Sequence, residues 1–324
     1  MKALVCKEFA STDKLVVEEM PAPVAGDGEI LIDVKAAGIN FPDVLMVQGN
    51  YQIKPELPFV PGTEGAGVVA AVGAGVKNFK LGDRVIFNAM LGSFATQCVC
   101  PAVSALPMPD ALSFEQGAGF SITYGTSYYA LKQRANLQPG ETVLVLGAAG
   151  GVGVTAIQIA KAMGAKVIAA ASTEEKLDFA EQVGADMRIN YSTENLKQRL
   201  KELTDGKGVD VIYDPVGGDY TEQAYRSIAW YGRYLVIGFA SGPIPKLPLN
   251  LPLLKCGDII GVFWGSWAMR DPKAAQQNFL ELLQMIEQGK FAPITTEVYD
   301  LDNSAEAFRC ISERRARGKV ILRM

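Results

Sequence analysis

The stretch Thr142–Ser172, TVLVLGAAGGVGVTAIQIAKAMGAKVIAAAS, decides the fold of this chain. Thr142–Leu146 is a short β-rich apolar run. Gly147, Gly150, Gly151 and Gly153 follow it, and glycines permit a tight turn and close backbone approach. From Val152 onward Ala156, Ile159, Ala160 and Met163 recur at helical spacing. Gly164 stops that helix, and Lys166–Ala171 begins a second buried strand. Strand, glycine turn, helix and strand in this order form the βαβ unit that holds a dinucleotide pyrophosphate on free N–H groups at a helix N-terminus. A purely structural turn uses glycines too, but here every element sits where the mechanism needs it. The fingerprint is slightly altered, since Ala148 stands where the first glycine of G-x-G-x-x-G belongs.

The end of the second strand bears on which cofactor is read. A site for NAD usually places Asp or Glu there, to accept hydrogen bonds from the ribose 2′-hydroxyl. This chain has Ala171, Ser172, Thr173 and then Lys176. A carboxylate would repel a 2′-phosphate, whereas hydroxyls and a lysine attract one. The pattern therefore favours NADPH. Ser172 and Thr173 also read as caps of the next helix, and the two roles are compatible.

Composition narrows the chemistry. The chain has 324 residues, about half of them apolar (49%), and a net charge of −4. No long charge run points to nucleic acid or an anionic membrane as a partner. No apolar run is long enough to cross a bilayer, and the opening MKALVCKEF, broken by Lys7 and Glu8, has no signal core. The five cysteines are scattered apart from Cys98 and Cys100, which is neither a disulfide nor a metal spacing. A reduced, cytoplasmic protein is expected. There is no histidine, which excludes a His general base, a Ser-His-Asp triad and every histidine-containing metal site.

Before residue 122 the chain reads as short β segments, Ala3–Cys6, Glu29–Ala37, Ala66–Val72, Arg84–Asn88 and Phe94–Val99, punctuated by Gly and Pro. Leu112–Leu131 reads as one bridging helix. Six apolar strands follow, Thr142–Leu146, Lys166–Ala171, Met187–Asn190, Val209–Tyr213, Arg233–Ile237 and Asp258–Phe263, with helices such as Leu196–Leu203 and Tyr220–Ile228 between most of them. Alternating strands and helices give a doubly wound parallel sheet. Ala274–Glu287 closes it as an amphipathic helix. The tail, with a helix at Ser304–Ser312 and a strand at Val320–Leu322, is expected to return to the first domain as an edge partner.

Several segments together resemble the medium-chain dehydrogenase/reductase superfamily: Ala37-Gly-Ile-Asn-Phe-Pro-Asp43, Pro61-Gly-Thr-Glu-Gly-Ala-Gly67, Gly82-Asp-Arg-Val85, Pro139-Gly-Glu-Thr-Val143, Gly147–Gly153 and Gly318-Lys-Val320. Within it the chain is similar to the zinc-independent quinone oxidoreductase branch, which includes zeta-crystallin. The resemblance implies an α/β protein: a Rossmann doubly wound parallel sheet over residues 123–290, and a GroES-like β-barrel-type catalytic domain over 1–122 and 291–324. It implies a cofactor cleft between them. Zinc alcohol dehydrogenases of the superfamily carry Cys, His and Cys at positions that here hold Asn40, Thr63 and Ala118, none of them a good zinc ligand.

The resemblance also nominates residues. Asn40 is expected to hydrogen-bond the nicotinamide or substrate, or else only to cap a helix. Asp43 reads as structural. Tyr51 aligns with a tyrosine lining the active site, where its phenol donates to a substrate carbonyl or merely packs. Leu45 replaces a second such tyrosine. Thr63 faces the nicotinamide, and Glu64 supports its loop. Thr126 lies near the nicotinamide end, with Tyr128 a more remote candidate, and Tyr191 flanks the adenosine. Val216, Gly238 and Phe239 end the fourth and fifth strands, where loops overhang the cofactor. Phe239 and Trp264 wall the nicotinamide or belong to the core, and Phe263 is expected among the cofactor contacts. Arg314, Arg315, Arg317 and Lys319 read as a solvated basic cluster, from which Arg315 reaches the cofactor if any of them does.

The expectation is hydride transfer from NADPH to a quinone without zinc, with catalytic Asn40, Tyr51 and Thr63. Cofactor contacts are expected from Gly147, Gly150, Gly151, Val152, Gly153, Ser172 and Lys176. Two alternatives stand beside it: reduction of an activated C=C bond in an enone, alkenal or acryloyl thioester, and a non-catalytic NADPH-binding protein. The expected partner is a small electrophile, with neither nucleic acid nor membrane. A homodimer would form through the apolar edge strand Ile259–Phe263.

Overall fold

One long strand organises the first 122 residues. In this computed structural model, which describes residues 1–324, β1 (Lys2–Val5) and β2 (Val16–Glu19) form an antiparallel pair. β3 (Glu29–Ile39) follows, then α1 (Phe41–Val47), β4 (Glu64–Val72), β5 (Arg84–Asn88), β6 (Gln97–Pro101) and β7 (Ala105–Pro107). β3 pairs antiparallel with β4 over Ile30–Ala37, and with β6 over Glu29–Asp33. β5 joins β4 to β7. The apolar faces meet around Phe87, Phe94, Ile30 and Ile32. Phe94 does not begin a strand as the sequence suggests. It accepts from the Leu4 N–H and packs edge-on to Phe308 at 5.9 Å; Ala95 makes an isolated bridge with Ala3, and β6 itself begins at Gln97.

The helix expected over Leu112–Leu131 is three pieces: α2 (Phe114–Ala118), α3 (Ser121–Tyr128) and a π-helical turn, Tyr129–Arg134. The break has an electrostatic cause. The Ser121 hydroxyl and the Ile122 N–H, in the first turn of α3, both reach Glu64 Oε2 at 2.8 Å. A continuous helix would leave that buried carboxylate without them.

Two compact units divide within α3: residues 1–122 with 293–324, and residues 123–292. The second contains β8 (Thr142–Leu146), α4 (Gly151–Ala162), β9 (Lys166–Ala171), α5 (Glu174–Gln182), β10 (Met187–Asn190), α6 (Leu196–Leu203), β11 (Val209–Asp214), α7 (Tyr220–Tyr225), β12 (Ile228–Val236), α8 (Asn250–Lys255), β13 (Asp258–Gly261), α9 (Trp264–Arg270) and α10 (Pro272–Glu287). The six strands are all parallel, in the order β10-β9-β8-β11-β12-β13. Helices bury both faces of such a sheet, so its strands read as unbroken apolar runs. Several boundaries differ from expectation, the largest at β12, which begins at Ile228 rather than Arg233. α7 stops at Tyr225, because Ile228 already opens β12, whose irregular start opposes Val209. β13 stops at Gly261 rather than Phe263.

The chain then returns to the first unit with β14 (Thr295–Asp300), α11 (Ser304–Ser312) and β15 (Lys319–Arg323). β15 pairs antiparallel with Ala36–Ile39 of β3, beyond the end of β6, and β14 pairs parallel with β15. β2, β7 and β14 carry no strong apolar alternation and are not evident in the sequence.

Candidate active site

The C-terminal ends of the parallel strands hold the first set of residues. Gly147 turns the chain out of β8 at φ +60, and a Cβ there would stand 2.9 Å from Val216. A Cβ on Gly153 would overlap the Gly147 carbonyl. Gly150 caps α4, and the N–H groups of Gly151, Val152 and Gly153 in its first turn have no acceptor within the helix. They are donors for an anion, reinforced by the helix dipole. The turn is buttressed from behind: the Ser127 hydroxyl donates to the Val152 carbonyl at 3.1 Å and lies 2.7–2.8 Å from Thr155 and Tyr213. Nothing in the sequence pattern marks Ser127, because its partners are distant in the chain.

Beside this turn, β9 ends at Ala171. Thr173 caps α5 by accepting the Lys176 N–H at 3.3 Å, and the Lys176 ammonium lies 3.5 Å from Ser172 Oγ. The strand end thus offers a hydroxyl and a lysine, with Glu174 of the first turn of α5 engaged by Asn190 Nδ2 at 2.6 Å. Tyr191 bonds back to the Ala171 carbonyl and packs on Tyr220 with ring centroids 4.3 Å apart. On the other side, Asp214 accepts the N–H groups of Val216 and Gly217 at 2.7 and 2.8 Å and the hydroxyls of Thr221 and Tyr234. That carboxylate fixes the loop carrying Val216. The loop beginning at Gly238 is laced onto it, with Ala240 and Ser241 donating to Pro215 and Val216, and Phe239 lies against Gly217. Gly125, next to Thr126 on α3, lets the Trp264 ring approach where a Cβ would be 2.8 Å away. Phe239 and Trp264 are half-buried, and Phe263 is 61% exposed. Tyr128 donates to Glu281 at 2.6 Å and ties α3 to α10.

The second set lies in the first unit. Asn40 ends β3 and caps α1, Glu64 opens β4, and Lys319 opens β15. Lys319 is a correction to the sequence reading. It is not part of a solvated basic cluster but is 4% exposed, because β15 lies inside the sheet between β3 and β14. Its ammonium donates to the Ile39 carbonyl at 2.9 Å and to Asn40 Oδ1 at 2.6 Å, and pairs with Glu64 Oε1 at 2.6 Å. Asn40 Nδ2 donates to the same Glu64 oxygen at 2.8 Å. The Ser121 hydroxyl also lies 2.8 Å from Asn88 Oδ1. Every member is satisfied, as a buried ion pair requires. Asn40 is thus locked in one amide orientation. Asp43, in the first turn of α1, accepts the Asn40 N–H at 2.7 Å through Oδ2. Tyr51 is half-buried against the first unit's core, and its phenol is pushed up by burial and by the Asp43 charge. The Thr63 carbonyl accepts from Ala89, and the residue is half-buried. Arg315 is exposed, paired with Glu306 and Glu313 at 2.7 and 2.8 Å.

The donor set around Asn40 does not suit zinc. Asn40, Thr63 and Ala118 supply neither thiolate nor imidazole, no three His, Cys, Asp or Glu side chains gather, and the Lys319 ammonium already bonds Asn40. A second cation there would meet repulsion rather than ligands.

Residues 26–110 match the alcohol dehydrogenase GroES-like domain family, and residues 151–288 match the zinc-binding dehydrogenase family. The quinone oxidoreductase-like protein 2 homolog of Nematostella vectensis is 42% identical over 99% of this chain and 88% of its own length. Quinone oxidoreductase-like protein 2 of Rattus norvegicus is 41% identical over 99% of this chain and 91% of its own. The crystal structure of Escherichia coli quinone oxidoreductase complexed with NADPH superimposes with a TM-score of 0.92 at 32% identity, covering all of both chains. No helix is long and apolar enough to cross a membrane.

Proposed function

The chain belongs to the quinone oxidoreductase branch of the medium-chain dehydrogenase/reductase superfamily and is a nicotinamide-dependent oxidoreductase, with a Rossmann sheet and a GroES-like domain; on that premise we propose that it carries hydride from NADPH to a quinone, without zinc. When bound, the nicotinamide supplies the hydride. The chain's own residues bind, orient and exclude water. The first turn of α4 receives the pyrophosphate, and Ser172 and Lys176 receive the 2′-phosphate. Val216, Phe239, Thr126 and Trp264 surround the nicotinamide end.

One observation carries the choice of acceptor. The buried cation of the first unit, Lys319, donates to the Ile39 carbonyl and Asn40 Oδ1 and is paired with the Glu64 carboxylate. Neutralised there, it is not placed to polarise an ordinary ketone, and no group of three metal-ligand side chains gathers near it. An acceptor must then be electrophilic by itself, as a quinone is. NADPH oxidation against quinones, enones and simple ketones tests this. Quinones should be reduced and ketones ignored, and primary alcohols should not be oxidised with NADP. Turnover of enones alone would move the assignment to C=C reduction.

We propose a cytoplasmic homodimer for the assembly. β13 pairs only with β12, its outer edge is open, and Ile259 on it is 44% exposed. An open apolar edge invites pairing with its own twin. Sedimentation should give a dimer that Ile259→Lys dissociates. A wild-type monomer at micromolar concentration overturns this.

A further inference from the structure

A buried seam of hydroxyls and amides joins α3 to α4. On α4, Val152, Thr155 and Gln158 follow at three-residue spacing and so share one face. Their partners on α3 are Thr123, Tyr124 and Ser127. Thr155 Oγ1 lies 3.1 Å from the Thr123 carbonyl of α3 and 3.1 Å from the Val152 carbonyl of its own helix. The Ser127 hydroxyl is 2.7 Å from Thr155 Oγ1 and 2.8 Å from the Tyr213 hydroxyl of β11. One turn further along α4, Gln158 Oε1 accepts from the Tyr124 hydroxyl at 2.5 Å, and Gln158 Nε2 donates to the Ala292 carbonyl at 3.0 Å. Tyr124, Ser127, Thr155, Gln158 and Tyr213 are all buried. Stability alone does not call for such a seam, since alanine and valine would fill the space without desolvating a hydroxyl. What a satisfied polar seam adds is register. If one helix slides against the other, the buried hydroxyls and the amide lose their partners.

In the reading above, the two helices carry different parts of the cofactor site. The first turn of α4 presents N–H groups to the pyrophosphate, and the Val152 carbonyl held by the seam belongs to the same peptide unit as the Gly153 N–H. α3 carries Thr126, which stands between Ser127 of the seam and Gly125, where the missing side chain leaves room for the Trp264 ring. We infer that Thr155 and Ser127, with the Tyr124–Gln158 bond beside them, set the offset of α3 against α4 and so fix where the nicotinamide stands relative to the pyrophosphate. This rests on the reductase reading. The four are positioning residues: they act through Thr126 and the α4 turn rather than on the reacting atoms. Hydride transfer is sensitive to placement, and an error of about 1 Å costs roughly a hundredfold in rate. A slipped seam therefore costs turnover before it costs affinity.

Two variants of one residue test it. Thr155→Val keeps the shape and removes the hydroxyl, whereas Thr155→Ser keeps the hydroxyl and removes the methyl. Each is compared with wild type in quinone reduction, in the fluorescence of bound NADPH, and in calorimetric affinity for NADPH and for 2′-phospho-ADP-ribose, which lacks the nicotinamide. Thr155→Val should lower kcat roughly ten- to a hundredfold, move the emission of bound NADPH toward that of the free cofactor, and leave the affinity for 2′-phospho-ADP-ribose unchanged. Thr155→Ser should recover most of the rate and the wild-type emission. Tyr124→Phe should repeat the Thr155→Val pattern. A Thr155→Ser variant as impaired as Thr155→Val reduces the seam to packing and overturns the inference. Equal affinity losses for NADPH and 2′-phospho-ADP-ribose also overturn it, because the seam then supports the pyrophosphate turn alone. So does wild-type kcat and emission in Thr155→Val. If wild type binds NADPH but reduces neither quinones nor enones, the reductase reading fails, and the emission and the two affinities still decide the seam.

Discussion

The turn after β8 and the cluster around Glu64 are built from opposite materials. The turn is backbone: the N–H groups of Gly151, Val152 and Gly153 and the carbonyl of Gly147, all from one short stretch. The cluster is side chain: Asn40, Glu64, Ser121 and Lys319, with Asn40 and Lys319 separated by 279 positions. A backbone site tolerates many sequences but no added atoms. A buried polar cluster tolerates no missing partner, because each group depends on the others for its desolvated charge.

The largest expected effect breaks the cluster. Lys319→Met strands the Glu64 carboxylate, which is 0% exposed. Unfolding free energy should drop by about 3–5 kcal/mol, measured by urea denaturation, and Lys319→Met/Glu64→Gln should recover most of it. Equal losses in the single and double variants would show that the pair is not the reason. The next effect breaks the turn. Gly153→Val forces a side chain into the Gly147 carbonyl and the Ala148 backbone, so the turn must shift, fold stability should fall, and NADPH affinity by calorimetry should fall about a hundredfold, some 2.7 kcal/mol. Affinity unchanged in this variant would remove the turn from the cofactor site.

Smaller changes sharpen the contrast within the second unit. Lys176→Ala removes a charge-assisted phosphate contact of roughly 1.5–3 kcal/mol, so NADPH should weaken ten- to a hundredfold while NADH is unaffected. Ala171→Asp should discriminate the same way by repulsion. Parallel losses for both cofactors would mean that the 2′-phosphate is read elsewhere. Tyr191→Leu is the mildest. It removes an aromatic surface of about 0.5–1.5 kcal/mol, roughly a two- to thirteenfold loss for NADPH and NADH alike. A loss confined to one cofactor would assign Tyr191 to the phosphate rather than to adenosine.

The sequence by itself determined the parallel sheet and the turn, because both follow from local pattern. Six apolar runs divided by helices allow little else, and the bounds of β8, β9, β10 and α6 match the expected residues. The lack of histidine likewise determined which chemistries are excluded. Tertiary structure alone decided what Lys319, Glu64 and Asp43 are. In the sequence, Lys319 sits among arginines and reads as surface. Strand pairing puts it between β3 and β14, next to a carboxylate from β4 and an amide from the end of β3. Burial, not residue type, converts these groups from solvated charges into a fixed ion pair and a carboxyl pushed well above the ordinary aspartate range. Burial is a property of the packed chain, which no local spacing encodes.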